Sequence, residues 1–240
     1  MSLLEEVTAD VDNYLAGTYE VTKPQDVPDN DEVPLGKKAM EFEATALFVD
    51  VRQSTDITDS FRRQTAAKMM KAYFSGAVRI INRNGGAVRS FNGDGMLAFF
   101  MGDTRTSPAV KSAMQIDWFV TELLRPKFEK YFDNNKSALG KALNFEVGCG
   151  IDDGWIYAVK VGIKGTNDVA WVGRATNTAA KLSNVGSGTG NIYITGIAYD
   201  RLHDWAKLSK GVNMWSDMSF MDIGGTNRGV RSTTYHWSLG

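Results

Sequence analysis

The chain has 240 residues, 43% of them hydrophobic, which is enough to bury one good-sized core with a small appendage. Its 27 basic residues are matched by 28 acidic ones, which excludes a generally basic nucleic-acid binder and a polybasic membrane-surface protein. A lone cysteine, Cys149, excludes an internal disulfide; no apolar run is long enough to span a bilayer, and the acidic start lacks the pattern of a signal peptide, so the expectation is a soluble cytoplasmic protein.

Residues 2–16 place Leu4, Val7, Val11, Tyr14 and Leu15 on one helical face, an amphipathic helix that serves either dimerisation or receipt of a regulatory signal. From Gly17 to about Lys38 the chain turns polar and holds Pro24, Pro28 and Pro34, as a linker or an irregular strap does. The expected division is therefore 1–40, helix and linker, and 41–240, the main domain. Thr45 to Val51 is nearly all apolar, as in a central strand covered on both faces. Helical spacing follows over 62–83 (Ala66, Met70, Tyr73, Phe74, Ala77, Ile80, Ile81), and Asn84-Gly85-Gly86 ends it. Strands over 87–91 and 96–101 flank Asn92-Gly93-Asp94-Gly95, a strong hairpin signal.

Ser107-Pro108 reads as N-cap and first residue of a second long helix, with Ala109, Ala113, Ile116, Val120, Leu123 and Leu124 inward and Pro126 bending or ending it. Leu143, Phe145, Val147, Cys149 and Ile151 then alternate, which also marks Cys149 as a small core residue. Asp152-Asp153-Gly154 reads as a turn into another strand, 155–163. A strand around Ala170-Trp171-Val172 leads into a short helix, Arg174 to Ser183. The tail ends in a strand-like Arg231–Trp237, and Trp205, Trp215 and Trp237 pack it. Strand, helix, strand, strand, helix, strand is the α+β ferredoxin-like split unit, here with a C-terminal extension and an N-terminal helix.

Asp50 alone reads as a helix cap or an acceptor of backbone N–H groups, and Asp94 alone as half of an ordinary hairpin pair. Together they point elsewhere. In a ferredoxin-like sheet the first strand and the central hairpin are neighbours, so both carboxylates project from one edge, where they repel unless a cation or proton is shared. Mg²⁺ or Mn²⁺ suits such an all-oxygen site, and the backbone from Val51 to Thr55 offers N–H groups to phosphate oxygens. His203 and His236 sit in no metal spacing and read as structural or surface residues.

These segments resemble the class III nucleotide cyclases. Ala46-Leu47-Phe48-Val49-Asp50-Val51-Arg52-Gln53-Ser54-Thr55 is similar to their metal-binding strand, and the stretch from Arg89 to Phe100 to their metal-binding hairpin. Val172 to Ser183 is similar to their helix that starts with glycine and carries Asn and, four residues on, Arg; Asn177 and Lys181 stand there, one turn apart on one face. Lys181 keeps the charge of the usual Arg and loses its bidentate fork. Where adenylate cyclases read adenine with a Lys and an Asp, this chain has Ser90 and Ala170, and the Glu and Cys pair of guanylate cyclases is also absent. With both metal carboxylates kept and the purine readers gone, the chain resembles the bacterial pyrimidine nucleotide cyclases of the Pycsar antiphage systems.

The resemblance implies two divalent ions (Mn²⁺ or Mg²⁺) on Asp50, Asp94 and the Val51 carbonyl, with Asn177 and Lys181 acting as catalytic residues from the partner of a head-to-tail homodimer. It further implies a nucleoside triphosphate substrate, UTP favoured over CTP, contacts to the base from Phe48, Arg89, Ser90 and Asn92, and a separate effector that binds the cyclic product. Strand alternation turns Arg89 away from that site unless the strand is bulged. Arg228 or Arg231 either binds triphosphate or lies in a solvated loop. The competing readings are an adenylate or guanylate cyclase with unusual base recognition, a nucleotide sensor without turnover, and a polymerase-palm relative, which the single acid of Gly-Asp-Gly-Met disfavours.

Overall fold

Alternation along one long strand sets the whole molecule, a computed structural model that describes residues 2–132, 144–186 and 190–240. An N-terminal helix, α1 (Leu3–Leu15), begins at a capping box: the Ser2 hydroxyl accepts from the Glu5 N–H and the Glu5 carboxylate accepts from the Ser2 N–H. None of its residues is buried. β1 (Glu20–Thr22) pairs in parallel with the start of β2 (Lys38–Arg52). The proline-bearing stretch between them is a strap rather than a linker: Val33 is fully buried in it, and Arg89 donates to the carbonyls of Val27 and Pro28.

After β2 come α2 (Ser54–Ser60), α3 (Arg63–Arg83), β3 (Ala87–Asn92), β4 (Gly95–Phe100), α4 (Thr106–Trp118) and α5 (Arg125–Phe132), then β5 (Glu146–Ile163), β6 (Thr166–Val172) and α6 (Arg174–Ser183). The extension holds β7 (Ile192–Thr195), α7 (Gly196–Asp200), α8 (Asp204–Lys207), β8 (Leu208–Ser209), β9 (Val212–Asn213), β10 (Ser219–Asp222) and β11 (Asn227–Thr233). The main sheet runs β10-β11-β7-β5-β2-β4-β3, with β1 on β2 and β6 on β5. Its centre, β5-β2-β4-β3, is antiparallel throughout and has the expected ferredoxin-like order.

Both faces of that centre are covered. Leu47, Val49 and Val51 pack with Met96, Ala98, Phe100, Cys149 and Ile151 under α3 and α4. Ala44 and Ala46 pack with Phe42, Leu97, Phe99 and Trp171 under α6 and the strap. Covering on both sides is why residues 45–51 read as continuously apolar.

Three local expectations give way to tertiary contacts. Asp152-Asp153-Gly154 is no turn, because β5 runs straight through it. Both carboxylates are buried: Asp153 accepts from Arg105 Nε (2.7 Å) and the Thr45 hydroxyl (2.7 Å) and pairs with Arg201, while Asp152 accepts from the Thr195 hydroxyl (2.6 Å) and lies 2.8 Å from the Arg174 guanidinium. Ser107 is not an N-cap, since α4 starts one residue earlier, behind Arg105, and the Ser107 hydroxyl instead accepts from the His203 N–H. Pro126 does not end the helix either. A π-helical turn, Phe119–Leu124, in which the Arg125 N–H reaches back to Val120, widens the coil ahead of the ring and α5 continues.

The last strand spans Asn227–Thr233 rather than 231–237, and Trp237 stacks on Trp205 beyond it, the rings 5.7 Å apart. Cys149 is buried as expected, while Leu143 falls outside the described residues.

Candidate active site

The end of β2 and the β3–β4 hairpin build the site. β2 and β4 pair in the register Val49↔Met96, which sets Asp50 beside Gly95. A Cβ on Gly95 would lie 2.7 Å from the Phe48 ring and 2.9 Å from Asp50 Oδ1, so the missing side chain is the space these two residues occupy. Gly93, at φ +63°, supplies the left-handed step of the turn that presents Asp94. Asp50, Val51 and Asp94 then line one cavity of about 430 Å³, together with Arg52, Gln53 and Asn184. Gln53 has φ +52° and turns the chain out of β2 into α2, leaving the 51–55 backbone along the wall.

Burial, and next the charge of Asp94, push the Asp50 carboxyl above the usual carboxylate range; a backbone hydrogen bond from Val51, the Asn184 side chain and the Arg52 charge oppose the shift without cancelling it. The charged form of Asp50 is therefore disfavoured here, by burial before charge. Among the described residues no group of three or more His, Cys, Asp or Glu side chains assembles a metal cage. Two repelling carboxylates lining one cavity nonetheless fit a hard divalent cation that keeps several positions for water or phosphate.

Sequence reasoning assigns no role to the side chains of two wall residues. Asn184 follows the last residue of α6 and reaches Asp50 only because that helix packs against β5. Arg52 lies within the metal-binding-strand segment, which assigns its side chain no role, and shares the strand face of Asp50 by period-2 alternation; its Nη1 donates to the Val185 carbonyl (2.6 Å), while Nε and Nη2 are buried without a hydrogen-bond partner among the described residues.

Asn177 and Lys181 are where the helical spacing puts them, exposed and one turn apart on α6, but neither lines the cavity. Lys181 packs its ammonium against Gly224 in the β10–β11 turn. α6 lies so close to β5 that Cβ atoms on Gly148 and Gly150 would collide with the carbonyl oxygens of Ser183 and Ala179. Arg174, at its first turn, ties it to Asp152.

The candidate base contacts divide. Ser90 pairs with Leu97, which pairs with Phe48, so the two share one row of the sheet, and the Ser90 hydroxyl donates to Asn92 Oδ1 (3.1 Å). β3 is bulged between Val88 and Ser90, and Arg89 is the extra residue. Its guanidinium is committed to the strap, donating to Val27 and Pro28 and pairing with Asp29 (3.0 Å), rather than to an open site. Arg228 and Arg231 lie in β11 rather than in a loop, and Arg231 stacks on Tyr199.

No protein-family model matches the chain. It is 33% identical over 240 residues to a uridylate cyclase of Xanthomonas perforans, covering 100% of both chains. It is 33% identical over 226 residues to a uridylate cyclase of Rhodovulum sp., covering 92% of this chain and 93% of the relative. The fold is similar to that of the adenylyl cyclase CyaB from P. aeruginosa, with a TM-score of 0.69 at 21% identity, over 84% of this chain and 99% of the other. With the two carboxylates at the strand and hairpin positions and the Asn–Lys helix behind them, these likenesses make the chain a nucleotide cyclase with the class III fold, and it belongs to the uridylate cyclase family.

Proposed function

We propose that this cyclase converts UTP to 3′,5′-cyclic UMP and pyrophosphate in the cytoplasm, as a head-to-tail homodimer with composite sites. The observation that carries this reading is Asp50 and Asp94 lining one cavity, while Ser90 and Ala170 stand at the sequence positions where the resemblance puts purine-reading charges. Two Mg²⁺ or Mn²⁺ ions, held by Asp50, Asp94 and the Val51 carbonyl, would supply the charge that activates the ribose 3′-hydroxyl and neutralises the triphosphate.

The 3′-oxygen attacks the α-phosphorus in line, forming the ring as the bond to the β-phosphate oxygen breaks and pyrophosphate leaves. Residues 51–55 line the cavity, and their backbone N–H groups would receive the departing phosphates. Asn177 orients the ribose and Lys181 stabilises charge on the transferring phosphoryl group. Neither lines its own subunit's cavity, as expected of residues that serve a partner's site. Phe48 offers a ring face to the pyrimidine, and Ser90 and Asn92 offer small polar groups to its edge. Arg89 acts on that wall from behind by holding the bulge. The cyclic product would act on a separate effector in antiphage defence.

Purified protein with Mn²⁺ should yield a cyclic monophosphate from UTP and at most traces from CTP, ATP or GTP, read by mass spectrometry. A preference for CTP or a purine would overturn the base assignment, and no product from any of them would overturn turnover itself. In the same assay, mixing inactive Asp50→Ala and Asn177→Ala chains should restore about a quarter of the activity, because half of randomly paired dimers carry one intact site of two.

A further inference from the structure

Among the described residues α1 and α3 each carry an unpartnered surface, and the two are complementary. On α1, Leu4, Val7, Val11 and Tyr14 recur at intervals of three and four residues and face solvent, with Leu4 76% exposed. The remainder of that helix is acidic (Glu5, Glu6, Asp10, Asp12) with no basic residue. A lone 13-residue helix is marginal in water, so even with its capping box α1 gains by burying this stripe. The outer face of α3 forms an open groove with β3, floored by Ala67, Met70, Phe74, Val78 and Phe91, the last 57% exposed and edge-on to Phe74 at 5.2 Å. Lys71 and Arg79 stand exposed along it and Lys68 is exposed on the same helix, α3 has no acidic residue, and none of the three is ion-paired among the described residues. From Ala67 to Asn82 the groove is roughly 22 Å long and α1 roughly 20 Å.

We propose that α1 of one copy lies in the α3 groove of a second copy of this chain, its apolar stripe on Met70, Phe74, Val78 and Phe91 and its acids beside Lys68, Lys71 and Arg79. The tether favours the second copy over the chain's own groove. Lys37 Nζ donates to the Ala16 carbonyl and β1 is fixed on the start of β2, so α1 emerges there. The strap that carries it packs on the α6 side of the sheet, whereas α3 covers the other side. Residues 16–19 reach at most about 14 Å fully extended. Phe91 stands in the row of Met96 and Val49, roughly 30 Å along β2 from Met40. The pairing assumes nothing about the reaction.

Single-cysteine additions Val7→Cys and Val78→Cys in full-length chains test it, the native Cys149 being buried. When the two chains are mixed and mildly oxidised, non-reducing electrophoresis should show a disulfide-linked heterodimer that neither chain forms alone. Lys71→Glu with Arg79→Glu should reduce its yield by about tenfold, and Glu6→Lys with Asp10→Lys on the other chain should restore it. Dimers of the Val7→Cys chain alone would mean that α1 pairs with α1; a doubly substituted chain that closes only on itself would mean docking in cis. Either result, or no cross-link at all, overturns the proposal.

Discussion

Asp50 is the residue at which this molecule gives up stability for a site. Its carboxyl titrates above the ordinary range because it is partly buried and faces Asp94, so the folded protein binds its proton more tightly than the unfolded chain does. Stability therefore falls as pH rises from the unfolded carboxylate value, near 4, and the full penalty is present above the raised folded value. Asp50→Asn removes the charge and keeps the shape. In a chelating buffer at pH 7 it should melt at a higher temperature than the natural chain while losing turnover, and the gap should close in scans near pH 4. An unchanged or lowered melting temperature would mean that Asp50 is compensated after all. Asp50 and Asp94 were legible because each sits at a local landmark, a strand end and a hairpin turn. Asn184 was not, since nothing within its own stretch records that α6 ends over Asp50.

Among the elements, the contact of α6 with β5 matters most for chemistry. Gly148 and Gly150 open one face of β5, α6 settles onto bare backbone there, and the same helix carries Asn177, Lys181 and, just past its end, Asn184. Gly150→Ala should press on the Ala179 carbonyl and cost about 1–3 kcal/mol, read in denaturant melts. Turnover should fall as well, because the displaced helix misplaces Asn177 and Lys181; full activity in a destabilised Gly150→Ala protein would separate the packing from the site. Element types and order were readable from periodicity, and α6 appears at its expected ends. The misread places share a cause. Asp152-Asp153-Gly154 has the composition of a turn, but Arg105, Arg174 and Arg201 meet those carboxylates from far along the chain and let the strand stay straight. The hydroxyl of Ser107 is taken by His203, again a partner no local window contains.

At the scale of the whole molecule, α1 and the strap part company. Without the strap, Arg89 would lose the carbonyls of Val27 and Pro28 and its ion pair with Asp29, and the cover that Val33 gives Phe42, Phe99 and Trp171 would go with them. Among the described residues, α1 itself buries no side chain. A chain starting at Gly17 should melt with the full-length protein when both are monomeric, whereas one starting at Glu41 should melt well below it or fail to fold; equal melting of all three would mean that the strap merely rests on the domain. The strap thus behaves like a belt buckled at Arg89. On that expectation the shortest self-sufficient unit would begin where the belt does, ahead of the first strand that a sequence motif marks.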